Sequence, residues 1–308
     1  MVETYVEAFL LARQAEGVTP KTLEWHGGAL RLFLAWLREH DAPEDPERWD
    51  AALFRRYVVH LQQRPTMRGG RRGQTLRPAT VTNYVQSLLA FTKWLAAEEY
   101  TTRDVAAKVR KPRSPQLVQQ PVPPEDVARL VQAARADKRN GVRDLAMLYL
   151  LLDSGLRANE LCGLTADDVL WSQNLVKVHG KGQKQRVVPF GPTTAAAMRK
   201  YALKGRVAAG AAEFFQTEEG RALKPMGLLY VLKRLAARAD VPNVHPHRLR
   251  HTSAVNFVRA GGNVLVLQRI LGHSTLAMTN RYVALVTDDL QREHERCSPV
   301  ASLLGHAR

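Results

Sequence analysis

Apolar residues recur at helical spacing through the first hundred positions. From Met1 to Gln14 they fall every three or four residues, which predicts an amphipathic helix. Thr19 followed by Pro20 is a helix start, a capping residue ahead of proline at the first helical position. The face behind it runs Leu23, Leu30, Phe33, Leu34, Leu37. Asp50 is placed to cap a third helix carrying Leu53, Phe54, Tyr57, Val58 and Leu61. Pro78 opens a fourth, with Val81, Tyr84, Val85, Leu88, Leu89, Phe91 and Leu95. Between the last two lies a basic, glycine-containing loop, 64–77, either a solvated loop or one whose arginines meet phosphates.

The pattern then breaks. Pro112, Pro115, Pro121, Pro123 and Pro124 fall within thirteen residues, interleaved with Arg110, Lys111 and Arg113. Such proline density excludes helix and predicts an extended connection. The expected organisation is a helical domain over 1–108, a linker over 109–123 and a second domain over 124–308 with a tail from 286. The second domain opens with helices at 124–136 and 140–153, the latter apolar almost all round and so buried. Near Val169 the period shortens. Strands are expected there, at Leu175–His179 and at Arg186–Phe190, with a hairpin loop at 180–185 between the last two. Helices resume at 193–204, 226–240, 246–260, 263–271, 276–285 and 287–296. The fold class expected is mainly α, with a small antiparallel sheet in the second domain.

Composition adds little except through charge. The 308 residues are 45% hydrophobic and 24% charged, which excludes a disordered chain. Lys and Arg number 45 against 29 Asp and Glu, a net +16, so a polyanionic partner is expected: nucleic acid first, an anionic membrane surface second. The charge is unevenly placed. Residues 1–50 carry a net −5, residues 51–113 a net +10 and residues 114–308 a net +11. Two basic regions on a tether could close around a duplex. The longest apolar run, Leu145 to Leu152, is far too short to span a membrane, and the first residues lack a signal-peptide layout. Two cysteines, Cys162 and Cys297, suit a reducing compartment and a cytoplasmic location.

The candidate chemistry lies in the second domain. His247 and His251 are one helical turn apart, a metal-ligand spacing. Arg248 stands where a metalloprotease needs Glu, however, and Arg250 shares the face, so no metal site is expected. His247, Arg250 and His251 at i, i+3 and i+4 instead form a cationic, hydrogen-bonding face suited to a phosphate or phosphorane. Upstream, Gly155 ends a buried helix, Arg157 follows, and Glu160 is placed to orient its guanidinium. Downstream come Leu271-Gly-His273-Ser and, nine residues after His273, Tyr282.

Five motifs in this order closely resemble the tyrosine recombinases, the phage-integrase type of site-specific recombinase, with the Xer-like branch nearest. They are Ser154-Gly-Leu-Arg157-x-x-Glu160-Leu, Gly180-Lys181-Gly-x-Lys-x-Arg-x-Val-Pro189, His247-Arg-Leu-Arg250-His251-Thr, Leu271-Gly-His273-Ser and Tyr282. The resemblance covers the whole second domain and, more loosely, the first. It implies a helical SAM-like core-binding domain and an α+β catalytic domain of the DNA breaking-rejoining fold. It implies that Tyr282 attacks a DNA phosphate and forms a 3′-phosphotyrosyl bond. Arg157 and Arg250 would clamp the non-bridging oxygens, with His273 adding a hydrogen bond. His247 would take the tyrosine proton and Lys181 would protonate the departing 5′-oxygen. Glu160 and His251 would support these groups. Asn159, where the family commonly has Ser, and Ala277-Met278 depart from the pattern without touching a catalytic group.

The implied partner is duplex DNA with paired recombination half-sites. The protein would act as a homo-tetramer, or as a hetero-tetramer with a second recombinase and an accessory activator, and without a cofactor. Arg68, Arg71, Arg72, Arg77, Arg110, Lys111, Arg113, Lys184 and Arg186 are the candidate DNA contacts. The tail, a charged stretch at 288–295 and then an apolar one to Leu304, folds on its own domain or docks on a neighbouring subunit. Chromosome-dimer resolution, integration and plasmid resolution all suit such an enzyme. Three other readings stand beside it: a type IB topoisomerase-like strand relaxase, a non-catalytic DNA-binding protein on this fold, and a metal-dependent hydrolase.

Overall fold

The computed structural model describes residues 2–66, 73–112, 119–180, 185–207 and 209–283, with 294 and 300 besides. The chain divides into two compact units, Met1–Leu117 and Val118–Arg308.

Four helices build the first unit: α1 (Val2–Ala15), α2 (Pro20–Glu39), α3 (Ala51–Gln63) and α4 (Pro78–Ala97). Proline opens α2 and α4 at the first helical positions, where its missing N–H costs nothing. Asp50 Oδ1 accepts from the Leu53 N–H at 2.8 Å and caps α3 as the sequence predicts. Thr19 differs from expectation. Its hydroxyl pairs with that of Thr22 at 2.9 Å and makes no side-chain cap. The core is aromatic. The Phe33 ring lies 4.9 Å from Tyr57, 5.3 Å from Trp49 and 5.8 Å from Phe54, and Phe9 lies 5.5 Å from Phe91. All are buried, and each such ring contributes roughly 2–3 kcal/mol on leaving water. The basic loop after α3 is closed at its base by a short antiparallel bridge, with Thr66 N–H donating to Gln74 O at 2.7 Å and Leu76 N–H to Arg64 O at 3.1 Å.

The second unit is organised around α6 (Gly141–Ser154), whose Ala146, Met147, Leu148, Leu150 and Leu151 are all buried. This is the helix predicted to be apolar all round. It packs against α5 (Pro124–Ala136), α8 (Pro192–Lys204) and α10 (Pro246–Arg259). The short α7 (Ala158–Cys162) follows α6. Three antiparallel strands come next: β1 (Val169–Leu170), β2 (Leu175–His179) and β3 (Gln185–Pro189), in that order across the sheet. Val176 faces Val188 and Val178 faces Arg186 across the ladder. Residues directly opposite share a face, so Val176, Val178, Val188 and Arg186 all point toward the core while Lys177, His179 and Val187 point out. The remaining helices are α9 (Pro225–Ala239), α11 (Val264–Leu271) and α12 (Ala277–Val283). Among the described residues no helix is long and apolar enough to cross a membrane.

Candidate active site

The second unit carries a cleft of about 740 Å³ between α7, α9 and the start of α10. Arg157, His247 and Arg250, which the motifs singled out, all line it. So does Lys233 on α9, which sequence reasoning missed, because nothing local ties a lysine on one helix to an arginine on another. Apolar Leu229, Ala236 and Val244 form part of the wall. Among the described residues no carboxylate lines the cleft. The first turn of α10 opens onto it through Pro246 and His247, so the positive end of the helix dipole adds to the side-chain charge. The arrangement is an anion site.

Arg250 forms the floor. Its side chain is buried, and its Nη1 and Nη2 donate to Gly155 O at 2.7 Å and Leu271 O at 2.8 Å. It thereby ties the end of α6 and the end of α11 to α10. Burial, and then the neighbouring Arg157 charge, pulls its guanidinium down to about 10, still protonated at neutral pH. Gly155 makes this approach possible. It sits at φ 61°, and a Cβ there would lie 2.8 Å from Leu271 Cδ2.

Arg157 stands ahead of α7 with its side chain partly exposed. Its Nη1 donates to Glu160 Oε1 at 2.8 Å, and its backbone N–H donates to Glu160 Oε2 at 2.8 Å. Arg186 completes the group, with Nη1 and Nη2 donating to the two Glu160 oxygens at 2.8 and 2.9 Å and Nε donating to Ile270 O at 2.8 Å. A Cβ at Gly272, φ 63°, would stand 3.1 Å from the Arg186 guanidinium, so the glycine leaves room for that side chain. Arg186, a candidate DNA contact in the sequence, is placed inward. Its register opposite Val178 turns it inward, and its nitrogens are spent on Glu160 and Ile270.

Burial is the largest influence on Glu160 and opposes its ionisation. The hydrogen bonds from Arg186 and from the Arg157 backbone, with the two positive charges, outweigh it and hold the carboxyl down at about 2. A depressed carboxylate contributes stability that is complete above its ordinary value of 4.5 and is lost as pH falls toward 2. Glu160→Gln is expected to lower unfolding free energy by roughly 3 kcal/mol at neutral pH and to flatten the acid limb. Denaturant melts of both chains between neutral and acid pH measure this.

Tyr282 is fully buried on α12, in a small apolar cluster with Ala254, Val255, Leu267 and Leu271. Two expected site histidines flank it. The His251 ring is 5.4 Å away and the His273 ring, nearly parallel, 6.2 Å. His273 Nδ1 is 2.8 Å from Thr279 Oγ1, which fixes the ring against α12. The structure thus brings Arg157, His247 and Arg250 to the cleft, sets Glu160 behind Arg157, and brings His251, His273 and Tyr282 together in the adjoining cluster. Lys181, Lys184, Arg68, Arg71, Arg72 and Arg113 lie outside the described residues, as does nearly all of the tail. Arg77, Arg110 and Lys111 are exposed on the first unit. There Arg110 also lines a cleft of about 350 Å³ with Arg55 and Lys108, two cations not singled out in sequence. Among the described residues no three His, Cys, Asp or Glu side chains gather as metal ligands.

Residues 121–288 match the Phage integrase family. The tyrosine recombinase XerC of Xanthomonas campestris pv. campestris (strain B100) is 32% identical over 300 residues, covering 96% of this chain and 88% of the relative. Among solved structures, the Tn1549 transposon integrase in complex with transposon right end DNA is 20% identical, with a TM-score of 0.78 over 96% of this chain and 99% of that one. The XerH recombinase bound to palindromic difH substrate, a post-cleavage complex, is 17% identical, with a TM-score of 0.73 over 97% and 84%. The chain therefore belongs to the phage integrase family and is a Xer-like, tyrosine-type site-specific recombinase.

Proposed function

We propose that this chain cuts and rejoins duplex DNA through a 3′-phosphotyrosyl intermediate on Tyr282, acting as a tetramer on two sites. The reading rests on one arrangement: a cleft lined by Arg157, Lys233, His247 and Arg250 and by no carboxylate among the described residues, beside a tyrosine held by two histidines. Tyr282 Oη attacks the scissile phosphorus and its proton passes to His247. The P–O5′ bond breaks, Lys181 protonates the departing oxygen, and a free 5′-hydroxyl remains. In the second step a 5′-hydroxyl of the partner strand attacks the phosphotyrosine, the P–Oη bond breaks and tyrosine recovers its proton. The phosphodiester count is unchanged and no external energy source is needed.

Planar donor forks on Arg157 and Arg250 match the non-bridging oxygens that gain charge in the phosphorane. Arg250 is set for this before DNA arrives, because its two carbonyl contacts fix its plane. Glu160 and Arg186 act through Arg157, holding it over the cleft without reaching DNA. Tyr282 is fully buried, so attack requires α12 to release it from its cluster.

Duplex binding is expected to draw on the first unit's basic cleft at Arg55, Lys108 and Arg110, together with Arg77 and Lys111. With six or more phosphates neutralised, affinity should fall by about 10³ between 50 and 200 mM salt. Filter binding or fluorescence anisotropy across that range tests it, and a flat salt response contradicts it. To test the function itself, the protein is incubated with a randomised library of nicked duplexes. Protein–DNA adducts that resist detergent are sequenced to obtain the site. A plasmid carrying two copies is then assayed for recombination. Relaxation of supercoils without strand exchange would overturn the proposal in favour of a topoisomerase-like activity.

A further inference from the structure

We infer that residues 119–122 form a strap that sets the position of α10, with His245 and Arg248 as positioning residues for His247 and Arg250. The inference rests on the proposed cleavage reaction and concerns groups that take no part in its proton or phosphoryl transfers.

Four consecutive residues, 119–122, bind the first two turns of α10 and its cap. The Gln119 side-chain amide lies 3.0 Å from His245 Nε2. Gln120 O accepts from Arg248 Nε at 3.2 Å and Pro121 O from Arg248 Nη2 at 3.4 Å. The Val122 N–H donates to Thr252 Oγ1 at 2.8 Å, and that hydroxyl donates to Arg248 O at 2.8 Å. Arg248 Nη1 also donates to Pro242 O at 2.7 Å, so one guanidinium joins the strap to the loop leading into α10. The sequence suits the task. Pro121 and Pro123 lack N–H groups and fix an extended path, which leaves the carbonyls as acceptors. Val122 anchors the stretch in the core at 2% exposure. This is also where the chain enters its second unit.

His245 is the hinge of the arrangement. It precedes Pro246 as the cap of α10, and its Nδ1 accepts from the Arg248 N–H at 3.2 Å. Accepting there requires a neutral ring with its proton on Nε2, so the Gln119 amide must turn its oxygen, not its NH2, toward that N–H. Burial, and then the Arg248 charge, lowers the imidazole's proton affinity and keeps the ring neutral. The cap fixes the first turn of α10, and His247 is the second residue of that turn. A shift at the cap therefore displaces the proposed proton acceptor directly and Arg250 one turn later.

The test uses the full chain and a nicked duplex of the selected site. His245→Ala and Arg248→Ala are expected to bind it within about twofold of the parent. Their single-turnover formation of covalent adduct should slow by about tenfold or more, since a misplacement near 1 Å suffices for that. His245→Asn should restore the rate to within about threefold, because Asn is a good cap but no proton carrier. Hydrogen exchange at the first turn of α10 should quicken in the alanine variants and return with asparagine. Arg248 is partly exposed, so its alanine variant tests the strap without hollowing the core. Parental rates in His245→Ala would overturn the inference. So would a His245→Asn variant as slow as the alanine one, which would make the imidazole itself the active group. If the parent forms no adduct, the proposed function fails and the catalytic part of the inference with it, whereas the exchange measurement reports on the strap alone.

Discussion

Arg250→Ala is expected to lower DNA cleavage by roughly 10³-fold, the loss that follows removal of a preorganised oxyanion donor. The side chain is buried and already committed to Gly155 O and Leu271 O, so its fork cannot be replaced by water without rebuilding the floor of the cleft. The same truncation leaves those two carbonyls without their donor, at about 1–3 kcal/mol each. Arg250→Lys separates the two effects. It keeps the charge, but an ammonium cannot span both carbonyls and a phosphate, and a loss of about 10² in cleavage is expected. Single-turnover cleavage of the nicked duplex, with a thermal melt of each variant, measures both. Parental cleavage by the lysine variant would show that charge alone is used and that the planar fork is not.

Tyr282→Phe should abolish covalent adduct and recombination completely while leaving duplex affinity within about twofold. Its ring fills a fully buried place among Ala254, Val255, Leu267 and Leu271. Phenylalanine preserves that packing, so a melting temperature within about 4 °C of the parent is expected. Loss of the adduct therefore cannot be assigned to unfolding. A variant that still recombined would place the nucleophile elsewhere.

Much of the architecture is legible in the sequence because it is written locally. Pro20, Asp50 and Pro78 mark helix starts with their own backbone chemistry. The buried α6 announces itself by apolar residues on every face, and Gly155 marks its end in the left-handed conformation. His247 and Arg250 fall on one side of α10 by spacing alone. What was not legible is set by long-range register. A strand taken to begin at Arg186 says nothing of which side that arginine faces. Pairing His179 with Gln185 decides it, and sends the guanidinium to Glu160. Lys233 reaches the cleft only because α9 packs beside α7. The burial of Tyr282 depends on how α12 sits against α10 and α11, which no periodicity in seven residues could reveal.

The central claim is a covalent bond between Tyr282 and a DNA 3′-phosphate. It is tested most directly by trapping the adduct on a nicked duplex, digesting it with protease and nuclease, and locating the nucleotide by mass spectrometry. The account predicts a phosphonucleotide on the peptide bearing Tyr282, together with a released DNA strand that ends in a free 5′-hydroxyl. Recombinant product formed with no adduct, an adduct on another side chain, or a 5′-phosphate linkage would contradict it.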